Sequence, residues 1–230
     1  MCVFLDEFKF LKKIWLKEMI LKMKGMKMEY IDVYNINELP VPKEGWRYLD
    51  FLGGEKQKRC FLVPRDYPRC DFFMEYADLL DNALQPIYEN NGIFVRQDAS
   101  FAVPGLYIIS YNRQYSAFDY IDDLLFLRTF FVIKKIREGM RKKLGINYIH
   151  MYYEEKIEKS CNVHYWLMPL YQPDTPIIFK IKIMEYLRSF DFSEERERIN
   201  KYNRIMMDYF EEINLKQLDN QITMQWMGEI

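Results

Sequence analysis

The residues best suited to chemistry lie in one short stretch, Asn162-Val163-His164-Tyr165-Trp166-Leu167-Met168-Pro169. Its aromatic and aliphatic content and its closing proline predict a strand. Side chains alternate along a strand, so Val163, Tyr165 and Leu167 share one face, and Asn162, His164, Trp166 and Met168 share the other. A neutral imidazole on such a face can attack phosphorus, giving a phosphoramidate and splitting one displacement into two. The second ring nitrogen must then be held by an acceptor, so that the lone pair of the first meets the phosphorus. The plain alternative is a half-buried strand histidine making one structural hydrogen bond. The indole of Trp166 is a donor only: it can contact a phosphate oxygen but cannot shuttle a proton, and it serves equally as a pocket wall. Asn162 is placed to orient His164 or a ligand, or is simply a satisfied polar residue at a strand start.

Other polar residues could complete a site. Asp98 sits in a turn, which an Asp side chain can form by itself. Asn112 and Arg113 follow an apolar strand, and the guanidinium fork of Arg suits phosphate. Ser160 precedes the central stretch. His150 is the only other histidine and lies in the adjacent strand, with a register across the hairpin that the sequence leaves open. Two histidines without a placed carboxylate make a weak metal site. No metal and no cofactor are expected.

The elements that must position these residues can be read in order. Apolar residues at helical spacing over 3–24, interleaved with lysines, predict a basic amphipathic helix. It could lie weakly on an anionic membrane surface or pack on its own domain. Residues 36–70 are rich in Pro and Gly, with strands over 46–52 and 59–63. A helix is expected over 71–90, ended or kinked by Pro86. A strand over 93–95, a turn over 98–100 and a return over 101–103 form a hairpin pattern. Pro104-Gly105 breaks the chain before a strand over 106–111. The spacing predicts a long helix over 119–144, with acids in its first turns, bases in its last and Gly145 as its stop. A strand over 146–153 and a charged turn over 154–159 lead into the central stretch. Beyond Tyr171 lies a boundary at 172–176, then a helix over 177–190 (or a strand over 178–184). A helix from Ser193, read as its N-cap, runs to about 212.

Composition narrows the classes. Of 230 residues half are hydrophobic, enough for one packed domain with helices appended. A net charge of −1 excludes a general nucleic-acid coat, so no nucleic-acid partner is expected. The four cysteines form no C-x-x-C pair, which argues against zinc and for a reducing, cytoplasmic setting. No apolar run reaches the ~20 residues of a membrane span, and the N-terminus does not read as a secretory signal.

The central stretch and the element order before it resemble the histidine-triad (HIT-like) superfamily, which includes galactose-1-phosphate uridylyltransferase. That family's signature is His-x-His-x-His or His-x-His-x-Gln, then two apolar residues and a proline. Aligned on Pro169, the nucleophile position is His164, while Asn162 and Trp166 occupy the first and third places. Residues 104–111 stand where the family has its Pro-Gly-His-x-x-x-x-Pro stretch. The resemblance covers about residues 92–172. It implies an α+β fold: a HIT-like antiparallel sheet with a long helix packed on one face and additional N- and C-terminal helices. The division would be a helical extension over 1–28, the HIT-like domain over 29–172 and a helical region over 173–230. It implies a nucleotide hydrolase or nucleotidyltransferase acting at the α-phosphate through a nucleotidyl-histidine, on a nucleotide or nucleotide-sugar, in a chain that is often a homodimer. By the same resemblance Asp98 corresponds to an acid on the ribose hydroxyls and Ser160 to a phosphate contact. The changes at Asn162 and Trp166 leave open a catalytically inactive nucleotide-binding or regulatory protein.

Overall fold

The computed structural model describes residues 28–155, 163–171 and 180–228. The helix expected over 3–24, most of the turn over 154–159, Ser160 and Asn162 lie outside the described residues. The elements are β1 (Tyr30–Val33), β2 (Trp46–Leu52), β3 (Lys58–Pro64), α1 (Arg69–Glu75), β4 (Pro86–Asn90), β5 (Ile93–Gln97), β6 (Tyr107–Tyr111), α2 (Asp123–Leu144), β7 (Ile149–Glu154), β8 (His164–Pro169), α3 (Lys180–Arg188), α4 (Phe192–Glu212) and α5 (Leu215–Met227). They form an α+β architecture. A five-stranded antiparallel sheet runs β4-β5-β6-β8-β7, and a three-stranded sheet runs β1-β3-β2.

The alternation read from the central stretch decides which way β8 faces. Val163, Tyr165 and Leu167 are buried with Val95 and Ile109 of the sheet, and with Val132, Ile136 and Met140 of α2. Burying a residue of this size contributes roughly 1.5–3 kcal/mol, so a one-residue slip of β8 would exchange several such terms for exposed surface. A second core joins Phe51, Phe61 and Phe72, of the small sheet and α1, to Phe192 and Ile199 of α4. Among the described residues no helix is long and apolar enough to cross a membrane.

The capping chemistry explains where α2 stops. Asp122 accepts from Leu125 N–H at 2.9 Å as N-cap, and Gly145 closes the helix in the left-handed region at φ 70°. Residues 118–120 form a separate 3-10 turn, so α2 starts four residues later than the sequence pattern predicts. Asp191, not Ser193, caps α4: its Oδ1 accepts from Ser193 N–H at 2.8 Å.

Two expectations are corrected. The helix expected over 71–90 ends at Glu75, and Pro86–Asn90 is an edge strand with Ile87 and Tyr88 buried. Proline disfavours helical backbone at the residue before it, and Asp81 caps a 3-10 turn through Ala83 N–H instead. Residues 101–103 do not form a return strand. Asp98 Oδ1 accepts from both Ser100 and Phe101 N–H, and the Gln97 amide bonds Val103 C=O and Gly105 N–H. These side chains satisfy the loop, so β5 pairs with β6 rather than with residues 101–103, Val95 lying opposite Ile109, while β4 pairs along its other edge.

Candidate active site

The face of the five-stranded sheet away from α2 carries the site. Its pairing aligns Arg96 with Ile108, Ile108 with Trp166, and Trp166 with Tyr152. The neighbouring rung pairs Phe94 with Ser110 and Glu154 with His164. Residues opposite one another in adjacent strands project to the same side, so this register alone gathers aromatic, basic, acidic and imidazole groups on one surface. Arg69, Phe73 and Met74 of α1 stand over that surface. Between them lies a cavity of about 130 Å³, lined also by Phe94, Arg96, Asp98, Ser100, Ser110, Glu154, His164 and Trp166. This is close to the ~150 Å³ void that admits benzene, so it suits a compact head group, with bulkier parts of a ligand at the mouth.

His164 is half-buried on the cavity wall, its Nε2 3.2 Å from Glu154 Oε2. Trp166 lies beside it with ring centroids 6.2 Å apart, and packs edge-on against Phe101. The Trp166 Nε1 is buried without a hydrogen-bond partner among the described residues. Arg96 is 9% exposed, and its guanidinium carbon lies 3.5 Å from the Phe73 ring centroid while Nη1 donates to Gln97 C=O. Arg69 stacks on Phe51 at 4.3 Å and donates to Ser100 Oγ at 3.3 Å. It also lies 3.8 Å from Asp50, whose other oxygen meets Lys58 at 3.2 Å. Burial alone would raise the Asp50 carboxyl, but Lys58 and Arg69 together hold it below its ordinary value. Burial pushes the Tyr111 phenol up, so at neutral pH this lining residue is a neutral hydroxyl.

Of the residues singled out from sequence, the structure brings His164, Trp166 and Asp98 to one cavity. Asp98 is 2% exposed, with Oδ1 committed to the turn amides. Asn112 and Arg113 are exposed beyond the end of β6 and do not line the cavity; Asn112 N–H bonds Gly92 C=O, and Arg113 lies 5.8 Å from the Tyr115 ring. His150 is also displaced from the site. The β7–β8 register sets it opposite Met168, four residues along β7 from Glu154, or ~13 Å at strand rise. It is exposed, 3.4 Å from Tyr152 OH. Asn162 and Ser160 lie outside the described residues. Sequence reading missed Arg69, Arg96 and the contact of Glu154 with His164. Arg96 was within reach: extending the strand at 93–95 by one residue puts it on the face of Phe94.

No protein-family model matches the sequence, and no curated protein matches it. Solved structures do. The chain is similar to a zinc-bound histidine triad family protein from Mycobacterium smegmatis, at 13% identity and TM-score 0.46, covering 63% of this chain and 97% of that one. It is similar to a hypothetical histidine triad nucleotide-binding protein from Sulfolobus tokodaii, at 15% identity and TM-score 0.45, covering 63% and 91%. A match to the C. elegans NitFhit protein has 13% identity and TM-score 0.39, covering 68% of this chain and 41% of that one.

Proposed function

We propose that this chain binds the phosphate of a nucleoside phosphate in the cavity beneath α1 and transfers it through His164. The observation that carries this reading is the placing of His164 on the wall of a cavity that also receives Arg69 and Arg96, with a carboxylate on one ring nitrogen. Arg69 and Arg96 take the charge-neutralising role for which Arg113 stood in the sequence reading. A lone pair of the imidazole forms an N–P bond as the bond from phosphorus to the leaving oxygen breaks, and that oxygen keeps the electron pair. The guanidinium groups meet the charge that builds on the phosphoryl oxygens. Water, or an acceptor hydroxyl in a transferase, then attacks phosphorus; the N–P bond breaks and its electrons return to the ring. The nucleoside itself, and attack at the α-phosphorus, are what the family resemblance implies.

Incubation with a radiolabelled panel of dinucleoside polyphosphate, sugar nucleotide and ATP tests this. Acid-labile label on His164, lost in His164→Asn, is the expected result. A specific observation favours a binding-only rival: Trp166, in the third signature place, has no group that can carry a proton. Tight nucleotide binding with neither label nor turnover would select that rival and remove the transfer step.

A further inference from the structure

We propose that Asp50 of β2 is a positioning residue for the anion site, acting through Arg69. Asp50 does not line the cavity, yet it holds a guanidinium that does, so the small sheet completes the site. This role rests on the reading above only in taking the cavity as the place where phosphate binds.

Four contacts close a ring, of which only Arg69 and Ser100 line the cavity. Arg69 Nη1 lies 3.8 Å from Asp50 Oδ1, and Nη2 donates to Ser100 Oγ at 3.3 Å. Lys58 Nζ lies 3.2 Å from Asp50 Oδ2 and donates to Ser100 C=O at 3.3 Å. The register of the small sheet builds the far side of this ring. Leu52 stands opposite Lys58, so Asp50, two residues back along β2, is the diagonal neighbour of Lys58 on the same face. Leu52 N–H donates to Ala99 C=O at 2.8 Å, which ties the end of β2 to the turn that carries Asp98 and Ser100. Arg69 is the first residue of α1, and its guanidinium carbon lies 4.3 Å from the ring centroid of Phe51, itself fully buried. An isolated ion pair as exposed as Asp50 and Arg69 is worth little to stability. As one corner of a closed network the carboxylate supplies orientation instead. A long side chain already held in place does not have to be ordered when the ligand arrives.

Charge and geometry predict opposite signs for one substitution. A carboxylate near an anion site repels the anion, so by charge alone Asp50→Asn should tighten the binding of inorganic pyrophosphate. Positioning predicts the reverse. Ordering one long side chain is worth about 2–10-fold in affinity, so Asp50→Asn should weaken pyrophosphate by that factor in calorimetry. In an Arg69→Met background the same substitution should cause no further weakening. Tighter or unchanged binding in Asp50→Asn would overturn the proposal. So would an equal loss in both backgrounds, because Asp50 would then act through the stability of the fold and not through Arg69. Should Asp50→Asn not fold, the same cycle with Asp50→Glu decides. That variant keeps the charge and lengthens the side chain by one methylene, so a loss coupled to Arg69 is geometric, and no coupling overturns the proposal. Coupling in a protein whose His164 never acquires label would uphold the positioning role and remove only the transfer step. Label on His164 without coupling would remove the positioning role alone. A wild-type chain that binds neither pyrophosphate nor ATP would remove both.

Discussion

At the scale of single residues, the site turns on where guanidinium groups end up. Arg96 is buried flat on Phe73 and lines the cavity, whereas Arg113 is exposed beyond it. Arg96→Met keeps most of the stem and removes the charge. A charge-assisted hydrogen bond is worth about 1.5–3 kcal/mol, so affinity for inorganic pyrophosphate or a nucleotide should fall about 10–100-fold by calorimetry. Arg113→Ala should leave that affinity within about twofold, on the same reasoning. Equal losses in the two variants would place the anion elsewhere. Cys60 offers a second residue-scale check. Burial pushes its thiol up to about 11, with the nearby Asp50 carboxylate adding to the shift. In the unfolded chain the thiol ionises from its ordinary value of 9.0 upward, while in the folded chain it stays protonated to about 11. This group therefore contributes a loss of stability as pH rises through that window. With Cys2, Cys70 and Cys161 replaced by serine, Cys60 should resist iodoacetamide at pH 8 until denaturant is added. Prompt alkylation of the native protein would contradict its burial.

At the scale of elements, what the sequence disclosed was whatever local chemistry decides. The strand over 46–52, the alternation along β8 and the glycine stop of α2 are written in turn residues, period and capping, and each is found as expected. What stayed illegible was decided by distant partners. Apolar residues at 87 and 88 fit a helix as well as a strand until β5 is there, with Val95 opposite Tyr88 and Phe94 opposite Glu89. The register that unites Arg96, Trp166 and Glu154 spans four strands and is written in none of them. Helix packing adds a similar case in Gly139, which reads as a defect in α2. A Cβ there would lie 2.6 Å from Tyr209 Cδ1 and 2.8 Å from Met206 Cε, both on α4. Alanine improves helix propensity by up to ~1 kcal/mol, whereas overpacking costs about 1–3 kcal/mol. Gly139→Ala should therefore lower stability by a net ~1 kcal/mol in urea titrations, and Gly139→Val by more. A stabilised alanine variant would show that α4 can slide away without loss.

At the scale of the whole molecule, the two faces of the large sheet do different work: one is buried under α2 and α4, the other bears the cavity. The buried side is tied together by Asp219 of α5, which is fully buried. It accepts from Arg128 Nε and Nη2 of α2 at 2.7 Å each, from Tyr88 OH at 2.9 Å and from Asn90 Nδ2 at 2.7 Å, both of β4. One carboxylate thus joins the long helix, the last helix and an edge strand. Four accepted bonds use its lone pairs well, but the pair also carries the desolvation of two ions, so its net worth is smaller than its contacts suggest. Breaking it is another matter. Asp219→Ala leaves the Arg128 guanidinium buried beside a hole, and such losses run about 3–5 kcal/mol. For a chain of this size that is a fall of roughly 10 °C in Tm. Because the pair is buried, the loss should change little between low and high salt, unlike that of a surface ion pair. The double variant Arg128→Met with Asp219→Leu removes both charges together and should recover much of it. None of these residues lines the cavity, so below the melting transition the rate of His164 labelling should be unchanged in Asp219→Ala. If stability and labelling fell together at every temperature, the two faces would not be independent, and the cavity's shape would depend on how α5 docks.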